Sequence, residues 1–308
     1  MAIDKRWTAA HDAETGPEAV DRACGGEGAY DGIGDVMQND RAYSDAHCHV
    51  AFMADPDTFA HDAYGARASV FAVTTTPSEY RCLMSREVIS CGLAIGLGLH
   101  PWWVPADEAE LHELLSGFDG LFDGARFIGE VGLDYSMRCV ETKAHQLRAF
   151  SHIVNSCVRG ALGEEPSKRR VLSMHCVHAY DDMLSLLDQS GCAVKCDCIF
   201  HWFSGSSDHL QRAIRLGCYF SVSERMLSSK RGREYAKAIP SDRLLLETDA
   251  PFVADPLFED PVVPCVYGEV AEELRRTATQ LAGLRNESLS DLSAALAQNA
   301  SFLDECCR

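Results

Sequence analysis

The sequence predicts an α/β protein closed as a (β/α)8 TIM barrel. Three observations carry this. From Tyr43 onward, short apolar runs alternate with longer helical patterns; eight such runs occur; and metal-binding residue types recur at their carboxyl ends. At 308 residues the chain can bury a sizeable core. A doubly wound open sheet is the alternative closure of the same alternation.

Residues 1–42 are rich in Gly, Ala and Asp and lack sustained periodicity. They read as a poorly ordered N-terminal extension, partly helical near Glu18–Ala23, ahead of a barrel domain over 43–308. The expected strands are Ser44–His49, Ala68–Thr74, Ala94–Leu99, Phe127–Val131, Val171–His175, Ala193–Phe200, Tyr219–Val222 and Leu244–Glu247. Each is a short apolar run of the kind that a sheet buried on both faces requires. Between them the spacing predicts helices over Pro77–Ser90, Glu108–Leu115, Glu141–Gly160, Tyr180–Ser190, Asp208–Leu216 and Ser228–Ile239. Two more are predicted at the end, Tyr267–Leu281 and Leu289–Leu303.

Charge is lopsided, with 28 Lys+Arg against 46 Asp+Glu and a net of −18. This excludes a global attraction for nucleic acid; a polyanionic substrate has to be drawn in locally, for example by bound divalent metal. The opening MAIDKRWTAAHDAETG has no apolar leader core, and no segment is long and apolar enough to span a membrane, so a cytoplasmic location is expected. The 14 cysteines then read as reduced and mostly packed as small hydrophobes. Cys192, Cys196 and Cys198 in GCAVKCDCIFHW could hint at a metal cluster, but a buried strand is the stronger reading.

Metal-binding side chains mark the strand ends. Asp45, His47 and His49 lie on the first strand, His100 follows the third in GLGLHPWW, and Glu130 ends the fourth in FIGEVGLDY. His175 ends the fifth in VLSMHC, His201 follows the sixth in CIFHWFSG, and Asp249 follows the eighth in LLLETDAPF. Barrel enzymes assemble their sites at this rim. Residues two apart share one face of a strand, so His47 and His49 are expected to project into the barrel mouth and chelate one cation, with Cys48 turned outward. Imidazole and carboxylate donors suit zinc, manganese and similar ions. A single histidine at such a place is more often structural, and His61, His112, His145, His152 and His209 are read that way. The recurrence across separate strands is what favours metal binding.

In this order, DAHCHV, GLHPWW, GEVGLDY, HWFSG and LLLETDAPF resemble the signature of the TatD family of metal-dependent hydrolases. These are amidohydrolase-like barrels that include divalent-metal-dependent deoxyribonucleases. The resemblance runs from about Tyr43 to Asn299 and Phe302. It implies two divalent ions (Mg2+, Mn2+ or Zn2+). His47 and His49 would hold one with Asp249, and His175 and His201 the other. Glu130 would bridge them, where other barrels of the superfamily use a modified lysine. Two cations about 3.5–4 Å apart can share a water and clamp a phosphate, with Asp249 and Glu130 as the catalytic carboxylates and Asp249 taking the water's proton. Asp45 is read as an outer acid holding a histidine's distal nitrogen, or as a satisfied buried acid.

His100 is read as a phosphate contact or a structural residue before Pro101. Trp102 and Trp103 are candidates for stacking on a base or for packing the loop onto the rim. Phe203, Ser204 and Gly205 are read as a turn whose amides face an anion, or as an ordinary connection. The chain also departs from the family pattern. His175 is followed by Cys176 and Val177 where members commonly carry His-x-Arg, with His178 or Arg138 as substitutes for the arginine. Trp202 stands where the family often has Cys, and the usual Arg-Asn element is not visible in ADPLFEDPVVP. The expected function is a metal-dependent phosphodiester hydrolase, a DNase of exonuclease type acting on DNA or another phosphodiester. The alternatives are a two-metal hydrolase of small amide, ester or lactone substrates, and a non-catalytic barrel subunit of a larger assembly.

Overall fold

The computed structural model of the protein describes residues 43–160, 169–252 and 262–307. The expected extension, with its helix near Glu18–Ala23, lies outside them. The strands are β1 (Asp45–Cys48), β2 (Val70–Val73), β3 (Ala94–Gly96), β4 (Phe127–Asp134), β5 (Val171–Val177), β6 (Asp197–His201), β7 (Tyr219–Val222) and β8 (Leu244–Leu246). Each pairs in parallel with the next in chain order. Just past the last strand the chain turns back onto the first. The Asp249 N–H donates to the His47 carbonyl at 3.0 Å, and the His49 N–H donates to the Ala250 carbonyl at 2.7 Å. These bonds close the barrel; in a doubly wound sheet β1 and β8 would be open edges.

Inside the barrel, Phe71 and Phe127 meet edge to face at 5.5 Å. Ala46, Val73, Val171, Ile199 and Leu245 pack with them, and Ala300, Phe302 and Leu303 from the end of the chain join this cluster. Burying a side chain of the size of Phe71 contributes about 1.5–3 kcal/mol. Core packing therefore occupies the interior, and polar chemistry is confined to the opposite, carboxyl-terminal rim.

Several element boundaries differ from expectation for local reasons. The helix Pro56–Gly65 was not predicted, although Asp55 caps it by accepting the Thr58 N–H at 3.1 Å and Pro56 fills its first turn. The expected helix Pro77–Ser90 is two, Pro77–Met84 and Glu87–Gly92. The expected sixth strand starts four residues late. Gly191, in the left-handed region at φ 69°, ends the preceding helix, and Cys192–Lys195 forms another helical turn before β6 begins. No helix among the described residues is long and apolar enough to cross a membrane.

Candidate metal centre

Two irregular strands bring their polar residues to the mouth. In β1 the Asp45 side chain accepts the His47 N–H at 3.1 Å, and the register with β2 shifts between Asp45 and Cys48. Strict alternation therefore fails: Ala46 packs in the interior, yet His47 and His49 both reach the mouth. In β4, Phe127 faces the interior, so alternation would turn Glu130 outward. A register shift between Ile128 and Val131 returns it inside. Gly129 allows this close passage, because a Cβ there would stand 2.4 Å from the Gly96 carbonyl oxygen. His175 and His201, in contrast, follow their strands' regular alternation from Val171 and Ile199.

The ring nitrogens and carboxylate oxygens form two triangles. In the first, His47 Nε2 lies 3.3 Å from His49 Nε2, and these lie 3.6 and 3.2 Å from Asp249 Oδ1. In the second, His175 Nδ1 lies 3.4 Å from His201 Nε2, and each lies 3.1 Å from Glu130 Oε1. The other oxygen of Glu130, Oε2, stands 3.5 Å from His49 Nε2 and 3.8 Å from His47 Nε2. Donors sharing one ion at about 2.0–2.2 Å stand about 3–3.6 Å from each other, so both triangles have the right donors and spacing for a divalent cation. Buried groups able to bind metal gather at this mouth.

The far nitrogens of two of these rings are held as well. His47 Nδ1 is 2.7 Å from the Ser173 hydroxyl, and His175 Nε2 is 3.3 Å from Asp134 Oδ2. Asp134 also accepts the indole N–H of Trp102 at 2.6 Å. Among the described residues, His201 Nδ1 is buried without a hydrogen bond, 3.9 Å from Glu247. Such partners orient metal-ligating imidazoles and fix their tautomers. His100 differs: its Nδ1 accepts the Trp102 backbone N–H at 3.1 Å, which leaves the proton on Nε2, 3.3 Å from Glu130 Oε1.

Burial would raise the Glu130 carboxyl, but His100, His175 and His201 hold it well below the ordinary range. His47 is kept neutral, since burial lowers it well below its ordinary value and His201 lowers it further. Burial also opposes charging of His175, yet Asp134 and Glu130 raise it to about 9. His49 is raised too, with Asp249 and Glu130 outweighing its burial. Burial pushes Glu247 well above the carboxylate range, against the hydrogen bond from Ser221.

The six strand-end residues His47, His49, Glu130, His175, His201 and Asp249 thus meet at one place. Of the two readings of Asp45, the contacts fit the satisfied buried acid and not the partner of a histidine ring. Besides the His47 amide, it accepts the Thr248 hydroxyl at 2.6 Å and the Thr248 N–H at 3.2 Å across the seam, and burial raises it to about 7. Ser204 lines the cavity, but its amide already donates to the Tyr180 hydroxyl at 2.8 Å. The Gly205 carbonyl accepts from Tyr235 at 2.6 Å, and these bonds fit the reading of the turn as an ordinary connection. Trp102 and Trp103 are pinned to the rim, the latter through Thr75 at 3.1 Å. Arg138 lies over the Trp102 ring at 4.6 Å, while His178 is exposed and outside the cavity lining. His61, His112, His145, His152 and His209 all sit on outer helices. Asp134, Ser173 and Glu247 were not singled out from sequence. The available signal was that Ser173 stands two residues before His175, on the same face of β5.

Above the donors lies a cavity of about 400 Å³ walled largely by Phe52, Trp102, Trp103, Val177, Trp202 and Phe252. The family model described as TatD related DNase matches residues 44–303. The chain is 31% identical to a 3′-5′ ssDNA/RNA exonuclease TatD of Dickeya dadantii, over 57% of this chain and 63% of that protein. It is 28% identical to the protein of the same name from Salmonella typhimurium, over 66% and 75% of the two chains. Among solved structures, the TatD homologue YJJV from Escherichia coli superposes with a TM-score of 0.66 at 21% identity, covering 85% of this chain and 98% of that one.

Proposed function

This chain belongs to the TatD-related DNase family, and from that premise we propose that it is a divalent-metal-dependent phosphodiesterase that shortens DNA strands from an end. The observation that carries the reading is Glu130, whose two oxygens face two separate donor triangles. In this reading His47, His49 and Asp249 hold one ion, His175 and His201 hold the other, and Glu130 serves both. Mg2+, Mn2+ and Zn2+ are the candidate ions, given the mixed imidazole and carboxylate donors. Bound there, divalent cations supply a lowered water pKa and polarisation of a phosphoryl oxygen.

The chain's own groups do the rest. Asp249 Oδ1 stands among the histidines at the cavity floor, where it orients the attacking water and takes its proton. His100 directs its Nε2–H toward Glu130 and the cavity, placing a donor beside a phosphate oxygen. Asp134 and Ser173 hold His175 and His47 so that their other nitrogens keep facing the floor. The ten cysteines with described side chains are free thiols, which supports a reducing, cytoplasmic setting.

A nuclease assay with Mg2+ or Mn2+ on single- and double-stranded DNA tests the proposal. Progressive shortening that disappears in Glu130→Ala is expected. Undiminished cleavage by that variant, or turnover of small esters and lactones with no phosphodiester cleaved, contradicts it.

A further inference from the structure

Three tryptophans face the cavity, and one is held differently from the others. Trp102 and Trp103 are fixed through their rings, because each indole N–H donates to a protein oxygen. Among the described residues, no protein acceptor takes the indole N–H of Trp202. Its backbone is fixed instead. The Trp202 N–H donates to Glu247 Oε1 at 3.1 Å, and Glu247 is fully buried. The residue sits at φ 40°, in the left-handed region, where a bulky side chain is strained. Strain of this kind persists only where the surroundings impose it, and it gathers at functional sites.

The strained backbone presents a half-buried indole to the cavity, directly after His201. Phe252 leans on it, with ring centroids 6.4 Å apart, and the Arg225 guanidinium lies 3.7 Å over Phe252. Arg138 backs Trp102 in the same way at 4.6 Å. The loops after β3 and β6 are three strands apart round an eight-stranded barrel, so these two cation-backed aromatic surfaces stand on different sides of the mouth. In a chain of net charge −18, cations at this opening favour an anionic backbone locally, and the rings offer flat apolar faces.

We propose that Trp202 is a specificity-determining residue, a platform on which the terminal nucleobase of a single-stranded nucleic acid stacks while its phosphodiester lies at the His–Glu–Asp cluster. The inference rests on the phosphodiesterase reading and adds the substrate feature that is read. Stacking on an aromatic ring tolerates any base, but it requires a base free of its partner strand. The Trp202 platform therefore selects for an unpaired end and against an end whose base is missing.

Binding separates this from the chemistry. Fluorescence anisotropy with Mg2+ and nuclease-resistant phosphorothioate single strands would compare ends with and without their terminal base. One pair would be altered at the 3′ end and one at the 5′ end. For one of the two ends, Trp202→Ala is expected to weaken binding of the intact strand about 5- to 150-fold, from the usual worth of one stacked base. Binding of the abasic partner should change less than about twofold, since no stacking remains to be lost. Trp202→Phe should restore most of the difference. Trp202→Leu, which keeps bulk without a π face, should behave as the alanine variant and guards against misfolding. Equal losses on intact and abasic strands, no loss in either Ala or Leu, or a wild type that binds neither strand overturns the proposal. A wild type that shows the base-dependent binding and yet cleaves no phosphodiester overturns the phosphodiesterase reading instead.

Discussion

The mouth of the barrel and the back of β6 are both crowded with metal-attracting side chains, and they are built in opposite ways. At the mouth, donors from separate strands point inward and stand 3.1–3.8 Å apart. On β6, Ile199 and His201 face inward, while Cys198 lies on the other face of the strand. Cys157, Cys192, Cys196 and Cys198 are all buried, with thiol–thiol contacts linking Cys157 to Cys196 and Cys192 to both Cys196 and Cys198. Among the described residues, the groups of three or more metal-capable atoms that converge all belong to the mouth. Strand parity and convergence between strands make a site; close spacing in the sequence does not. The thiols act as small hydrophobes between the barrel and its helices.

The strongest way to break that comparison is Glu130→Ala. It removes the carboxylate shared by both triangles, so DNA cleavage should fall at least about 1,000-fold. Elemental analysis should also show loss of bound metal. A variant with full activity and metal content would mean the convergence is incidental.

At the mouth, protons compete with metal. His175, raised to about 9, carries a proton at neutral pH in the metal-free protein and must lose it to bind a cation. Cation affinity should therefore rise with pH up to about 9, by as much as about tenfold per unit for each proton displaced, and fall as pH drops. Calorimetry in buffers of different ionisation enthalpy checks this at pH 7. Binding with no proton release contradicts it.

Asp134→Asn tests how far the mouth depends on groups behind the donors. With the acceptor for His175 Nε2 weakened, metal affinity or activity should fall about 10- to 100-fold. The Cys198→Ala variant should give the smallest effect at the site. It should lose about 1–2 kcal/mol of stability in a denaturant titration, as a small buried truncation does, and keep the same metal content. A drop in bound metal would erase the distinction between the two regions.

The regular part of the barrel was the legible part. Strands β5 and β6 keep a two-residue alternation, so the placement of His175 and His201 followed from their strand ends. β1 and β4 break it, yet His47, His49 and Glu130 still reach the mouth where their motifs put them. Which of its two readings Asp45 takes is not legible locally, because it bonds Thr248 across the closing seam, a contact spanning 203 positions. Asp134 and Glu247 carry no local signal either, because their partners His175, Trp102, Ser221 and Trp202 come from other strands. The helical turn at Cys192–Lys195 was hidden by its own apolarity, since a short buried run fits strand and helix alike. The contacts of Ser204 and Gly205 carry no local signal, because their partners Tyr180 and Tyr235 come from other elements.

The central claim is that two cations sit at the mouth, one per triangle, with Glu130 between them. Anomalous diffraction from crystals grown with Mn2+ tests it directly. The account predicts two peaks, one among His47, His49 and Asp249 and one among His175 and His201, both in contact with Glu130. Density at the cysteines behind β6, or none at the mouth, would contradict it.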